Sequence, residues 1–338
     1  MSGCIDLDRK PTFPIITGLE SGAIALGGCV AVLTNDGVSA ELLARLDAVP
    51  QLADRTDVVV LSGGLTNQNL KVTTPDGVYV ARLSTPESSL LAIDRSHEHV
   101  NSAAAAASGA APSVVAYAPE ANILVVDYID GRTWDTVDIL APDNAGRIAK
   151  VCHLLHAGPG FGNDFNMLSL QRHYLTIVQE RGLRLPDQYL DFAGHAHAIE
   201  QALAARPVPA APCNNDLLAA NFIDTGDRVW LIDYEYSGQN DPFFEIGNIW
   251  SEASGTLDDL ARLVTAYARR RSRALVARAW LWGLMSKYGW TLWASIQDGT
   301  SELDFDFWAW GMEKYERVIS EFDAPDFGRA LEEVRKSD

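Results

Sequence analysis

The chain opens with short apolar runs separated by turn residues and passes to helical periodicity after its first third. Ser39, with Leu42, Leu43 and Leu46 on one face behind it, predicts a short capped helix over residues 39–49. Val58-Val59-Val60-Leu61, Asn69-Leu70-Lys71-Val72 and Val78-Tyr79-Val80-Ala81-Arg82-Leu83 read as a three-strand meander. Its first connection is the glycine-rich Ser62-Gly63-Gly64-Leu65-Thr66-Asn67, and its second is the turn Pro75-Asp76-Gly77. An alanine-rich stretch over residues 91–108 predicts a helix packed on the sheet, and residues 123–129 predict a buried strand that ends at a hinge, Asp130-Gly131. From Asn144 onward the pattern is mostly helical, interrupted by a proline-rich run over residues 207–212. Directly after it, Asn221-Phe222-Ile223 and Val229-Trp230-Leu231-Ile232 flank Asp224-Thr225-Gly226-Asp227, which predicts a hairpin.

Composition narrows the classes. A chain of 338 residues that is 47% apolar can bury a large core in one two-lobed unit or two domains. A net charge of -18 argues against a nucleic-acid partner, whose phosphates demand clustered cations. The run Arg269-Arg270-Arg271 with Arg273 reads as a solvated helix end. Cys4, Cys29, Cys152 and Cys213 lack the spacing of a zinc site or a disulfide framework, and no apolar stretch near the start is long enough to cross a bilayer. A cytoplasmic protein without membrane insertion is expected. His153 and His156 read as helix packing, and His195 and His197 point to different helix faces.

The hairpin carries the chemistry. Asp216 and Asn221 have the Asp-x-x-x-x-Asn spacing of a kinase catalytic loop, in which the Asp takes a hydroxyl proton and the Asn holds Mg²⁺. Antiparallel pairing places Asn221, before the first strand, beside Asp233, after the second, and this makes Asp233 the second metal ligand. Upstream, Gly63 and Gly64 allow close backbone approach to a nucleotide, and Arg82 supplies the cation for its phosphates. Glu98 is the acid that orients Arg82, and backbone groups of Asp127 and Ile129 at the hinge can meet an adenine edge. ATP and Mg²⁺ are the cofactors expected.

These residues resemble the choline/ethanolamine kinases within the aminoglycoside-phosphotransferase-like group, over residues 61–315. Gly63-Gly64-Leu65-Thr66-Asn67 is similar to the family's nucleotide loop, Ile232-Asp233-Tyr234-Glu235-Tyr236 to its Ile-Asp-Phe-Glu-Tyr, and Glu245-Ile246-Gly247-Asn248 to its Asp-Ile-Gly-Asn. One position departs from the pattern, Asn214 standing where the family usually has His, a residue that supports the loop. The resemblance implies an α+β, two-lobed protein-kinase-like fold. A small antiparallel-sheet N-lobe (39–129) would precede a mostly helical C-lobe (130–338), with residues 1–38 as an extension of unassigned role. It also implies a small cationic amino alcohol as acceptor, choline moderately favoured over ethanolamine, with thiamine and aminoglycosides as rival acceptors and a nucleotide-binding pseudokinase as the inactive alternative. Glu252 then corresponds to the ammonium-facing carboxylate, Trp282-Gly283-Leu284-Met285 resembles the cage element Trp-Gly-Leu-Trp, and Trp308 lies near a cage tyrosine. Six of the nine tryptophans, Trp280, Trp282, Trp290, Trp293, Trp308 and Trp310, crowd this region, and two or three of them are expected to line the pocket while the others fill the core.

Overall fold

The computed structural model describes residues 38–61, 64–84 and 90–336, so Gly63 and nearly all of the N-terminal extension lie outside the described residues. The first part contains α1 (Ala40–Leu46), β1 (Asp57–Leu61), β2 (Asn67–Thr74), β3 (Gly77–Ser84), α2 (Arg95–Ser108), β4 (Val114–Ala118) and β5 (Ile123–Asp127). The Ser39 side chain accepts from Leu42 N–H and caps α1 as the pattern predicts. The strands form one antiparallel sheet in the order β1-β2-β3-β5-β4, a meander with one edge extended by a second hairpin. One face buries Leu70, Val72, Ala81, Leu83, Ile123 and Val125 against Leu46 and Leu52, a small core of its own.

Helix α2 behaves differently from its expectation. Its Ala105 belongs to the larger core of the helical lobe, and the buried Asn101 donates from Nδ2 to Asn163 Oδ1 at 2.7 Å and to Ser237 O at 3.1 Å. The helix therefore bridges the lobes and does not simply cover the sheet. Its alanine face leaves room for that dual contact.

The helical lobe contains β6 (Arg132–Thr133), α3 (Thr136–Leu140), α4 (Ala145–His156), α5 (Met167–Glu180), α6 (Ala193–Ala204), β7 (Ala211–Cys213), β8 (Phe222–Asp224), β9 (Val229–Leu231), β10 (Gly238–Asn240), α7 (Pro242–Glu252), α8 (Leu257–Ala268), α9 (Arg273–Thr300), α10 (Phe307–Phe322) and α11 (Pro325–Glu333). Two small sheets, β6-β8-β9 and β7-β10, carry the loops that face the N-lobe. Helix α9 is buried on nearly every face from Ala274 to Gln297, which marks it as the spine of the lobe. Helix α7 crosses it closely at Gly247, where a Cβ would collide with the Ala279 carbonyl oxygen and lie 2.9 Å from Gly283 N. Among the described residues no helix is long and apolar enough to cross a membrane.

Candidate active site

The hairpin β8–β9 pairs Phe222 with Leu231, Ile223 with Trp230 and Asp224 with Val229. The Ile232 N–H donates to Asn221 O at 3.0 Å and extends the ladder by one step, which sets Asn221 and Asp233 at the same end. The local backbone there is strained. Asp233 has φ 64° and Asn215 φ 70°, the left-handed region that a residue with a Cβ enters only when its surroundings compel it.

The compelling partners are buried side-chain amides. Asn214 donates from Nδ2 to Asp233 O at 2.7 Å and to Ile232 O at 3.1 Å, while its Oδ1 accepts from Asp216 N–H at 3.1 Å. The residue that departs from the family pattern thus ties the loop of Asp216 to that of Asp233. Asn215 is held from below: Glu245 Oε2 accepts its N–H at 2.9 Å, and its own Nδ2 donates to Tyr236 O at 3.0 Å. Asn248 Oδ1 accepts from Leu217 N–H at 2.9 Å and its Nδ2 donates to Ser286 Oγ on α9. Two residues of α7, Glu245 and Asn248, therefore position the backbone on either side of Asp216. Glu245 also accepts from His156 Nε2 at 3.0 Å, and His153 Nε2 lies 2.8 Å from Tyr267 O, so both histidines serve packing and loop support.

Asp216, Asn221 and Asp233 border one cavity of about 250 Å³ between the lobes. Its N-lobe wall includes Gly64, Leu65, Thr66, Arg82 and Glu98, and its hinge side includes Asp127 and Ile129. Leu61, Val80, Leu124 and Val126 face Leu218, Ile223 and Ile232 across it, an apolar slot suited to a planar base. Gly64 is required by its turn, since a Cβ would collide with Asn67 O. Asn67 is not part of the cavity wall; it acts behind the wall.

A buried ion network joins the lobes. Arg82 Nη2 lies 2.5 Å from Asp233 Oδ1 and 3.2 Å from Glu98 Oε1. Arg95 Nη1 bridges Glu98 Oε2 at 2.7 Å and Glu235 Oε2 at 3.0 Å. Glu235 in turn accepts from Thr66 Oγ1 at 2.7 Å and Asn67 Nδ2 at 2.8 Å, clamping the glycine-rich connection onto the segment after Asp233. Burial, then the neighbouring Asp233, push the Glu235 carboxyl up, against the pull of Arg95. Burial works to lower the Arg82 guanidinium, but Asp233, Glu98 and Glu235 more than offset it, so that it is held firmly cationic. Arg82 Nε and Arg95 Nε and Nη2 are buried donors with no partner among the described residues.

Asp216 is pushed well above the usual carboxylate range by burial and by Asp233, Glu252 and Glu235, opposed by Lys314. Five carboxylates, Glu98, Asp216, Asp233, Glu235 and Glu252, thus meet three cations, Arg82, Arg95 and Lys314. This surplus of carboxylates, which makes Asp216 and Glu235 hold their protons more tightly, would be relieved by a further cation. Asn221 spends its Nδ2 on Asp216 O at 2.7 Å, which leaves its Oδ1 as a hard oxygen donor on the cavity that Asp233 also borders. That donor set fits Mg²⁺, which takes one or two protein oxygens and completes its shell with water and phosphate.

The far end of the cavity corrects the sequence expectation. Glu252 borders it, together with Trp290, Trp293 and Trp310. Trp282, Met285 and Trp308 do not. Trp282 donates from Nε1 to Asp241 Oδ2 at 2.7 Å and packs edge-on against Phe244, while Met285 is fully buried in the same core. Trp308 lies under the Arg184 guanidinium, 3.8 Å from its ring centre. Helical geometry explains both differences. Eleven residues make about three turns, so Trp282 and Trp293 share a face of α9 yet stand roughly 16 Å apart along it. Two residues on α10 are about 200° apart, so Trp308 and Trp310 face opposite ways. The Trp-x-x-Trp spacing that meets the cavity is Trp290-Thr291-Leu292-Trp293. Sequence reasoning missed Arg95, Glu235 and Lys314 as members of the site; Glu235 was recognisable only as part of a motif.

A family model described as choline/ethanolamine kinase matches residues 58–267. The chain is similar to a choline/ethanolamine kinase family protein from Mesorhizobium loti of known structure, with 31% identity and a TM-score of 0.77 over 87% of this chain and 98% of that one. It is also similar to ethanolamine kinase 2 of Mus musculus, 29% identical over 249 residues, covering 64% of this chain. The matched segment spans 63% of the mouse protein's length. The fold alone is shared with aminoglycoside 2'-phosphotransferase-IIIa, at a TM-score of 0.62 and 13% identity over 86% of this chain and 99% of that one.

Proposed function

The chain belongs to the choline/ethanolamine kinase family, and from that premise we propose that it transfers the γ-phosphoryl group of ATP to the hydroxyl of a small amino alcohol of the choline or ethanolamine kind. One observation carries the reading. A single cavity is bordered by an apolar slot and Arg82 at one end, by Asp216, Asn221 and Asp233 in the middle, and by Glu252 and tryptophans at the other.

In this reading the base lies in the slot beside Asp127 and Ile129, and Arg82 meets the phosphates, aligned by Glu98. Its partnerless Nε supports that role, because a buried donor calls for an acceptor. Asn221 and Asp233 would hold Mg²⁺, which when bound supplies charge neutralisation for the transferring phosphoryl group. Asp216 takes the proton of the acceptor hydroxyl. Its raised proton affinity makes it a stronger base. The Gly64–Asn67 connection, clamped by Glu235, closes over the nucleotide. The hydrogen bonds made by Asn214 supply the loop support expected of His at that position, which supports an active enzyme.

The test is ADP release by the purified full chain with ATP, Mg²⁺ and a panel of amino alcohols, including thiamine and an aminoglycoside. Stimulation by the small amino alcohols alone is expected. Nucleotide binding without acceptor-stimulated release from any member would overturn the reading.

A further inference from the structure

We infer that Lys314 determines acceptor specificity, making the Glu252 end of the cleft select an amino alcohol whose ammonium still carries an N–H over its quaternary counterpart. This rests on the kinase reading above and narrows its substrate class, against the sequence expectation that favours choline.

The two oxygens of Glu252 are not equivalent. The side chain is 5% exposed, and its Oε2 is taken by the Lys314 ammonium, itself 7% exposed. Its Oε1 is buried without a partner among the described residues. Such an orphan acceptor calls for a donor, and a ligand in the cavity that Glu252 borders is the available source. Lys314 has a second effect: its Nζ lies 4.1 Å from the ring centre of Trp310. The Trp310 ring, one of the three tryptophans at this end, therefore already has a cation from within the chain on its face.

What remains for the acceptor follows by subtraction. The Glu252–Lys314 pair is neutral, so it offers little net field to attract a cation. Trp293 is held by its Nε1 donating to Tyr236 Oη at 2.8 Å, and it meets Trp310 edge-on. Trp290 Nε1 is also partnerless, but as a donor it cannot accept an ammonium N–H. Among the described residues at this end, the buried acceptor left without a hydrogen-bond partner is Glu252 Oε1. A primary, secondary or tertiary ammonium can donate to it, whereas a trimethylammonium presents only methyl groups and leaves it unsatisfied. A site built around such a hydrogen bond discriminates sharply against the analogue that lacks it.

The experiment is a methylation series on one two-carbon alcohol: the primary amine and its N-methyl, N,N-dimethyl and N,N,N-trimethyl forms, with kcat/KM measured on the full chain at fixed ATP and Mg²⁺. Values that change little while one N–H remains, then fall about 10- to 100-fold at the last methyl, are expected from the loss of a charged hydrogen bond. Lys314→Met should shrink that final step to within a few fold by freeing the whole carboxylate and the Trp310 face, and Lys314→Arg should keep it. A trimethyl form used as well as the primary amine by the wild type, or a step that Lys314→Met leaves intact, overturns the inference while the kinase reading stands. Should Lys314→Met not fold, as its melting curve would reveal, Lys314→Gln, which also removes the charge, takes its place with the same two outcomes. No turnover with any member, despite nucleotide binding, overturns the kinase reading and this inference with it.

Discussion

Gly247→Ala should cripple the enzyme although the residue touches neither nucleotide nor acceptor. Its Cβ would run into the Ala279 carbonyl oxygen on α9 and come within 2.9 Å of Gly283 N, both of them backbone atoms that cannot swing aside. To regain ordinary contact at 3.4 Å, α7 and α9 must separate by roughly 1 Å. Overpacking of this kind costs about 1–3 kcal/mol, which for a chain this size lowers Tm by roughly 1–4 °C. The separation also acts directly on chemistry. Glu245 and Asn248, on either side of the glycine, hold Asn215 N–H and Leu217 N–H at 2.9 Å, and Asp216 lies between those two amides. A displacement of about 1 Å at a reacting group costs on the order of 10²-fold in rate. The assay is a paired measurement of Tm by calorimetry and kcat by coupled ADP release. A variant that melts like the wild type and turns over within twofold would refute the claim that this crossing sets the loop. Lost stability with unchanged kcat would refute its second half.

Asp216→Asn should lower kcat by about 10² to 10⁴ with the fold intact, the range of a general base, and unchanged turnover would remove Asp216 from the mechanism. Because Asp216 must be ionised to accept a proton and its proton affinity is raised, kcat/KM should fall on acidification at a pH above the ordinary carboxylate range of about 4, and a limb at or below that range contradicts the assignment. Asn214→Ala removes the tie between the two loops and should lower both Tm and kcat, the latter by about tenfold or more, whereas Asn214→His should retain activity. Asp224 is held below its usual range, first by the Arg147 hydrogen bonds, so its contribution to stability is present above pH 3.8 and lost as pH falls toward its depressed folded value. Asp224→Asn should cost roughly 1–3 kcal/mol at neutral pH and flatten the acid side of the Tm profile.

Features that depend on neighbours in sequence are the legible ones. The hairpin that sets Asn221 beside Asp233 follows from two apolar runs and one turn, and the meander follows from the same pattern. Which tryptophan meets the cavity is not legible in this way. Spacing reports the face of a helix and says nothing of what lies opposite each turn, so the Trp282 motif and the Trp290 motif look equally suitable until α7 covers one of them. The clamp of Glu235 on Thr66 and Asn67 joins residues 168 or more apart, and the Lys314–Glu252 pair joins residues 62 apart. No local signal marks such partners.

The Arg82–Asp233 contact gives the cleft a thermodynamic property that neither residue has alone. The cation proposed for the phosphates and the carboxylate proposed for the metal satisfy each other across 2.5 Å. A divalent ion arriving by itself must compete with the guanidinium for Asp233, and a nucleotide arriving by itself must compete with the carboxylate for Arg82. Arriving together, each ligand frees the group the other needs. Their affinities would then be linked by one coupling factor that is the same in both directions, and the two lobes would read the proposed metal–nucleotide complex as a single object.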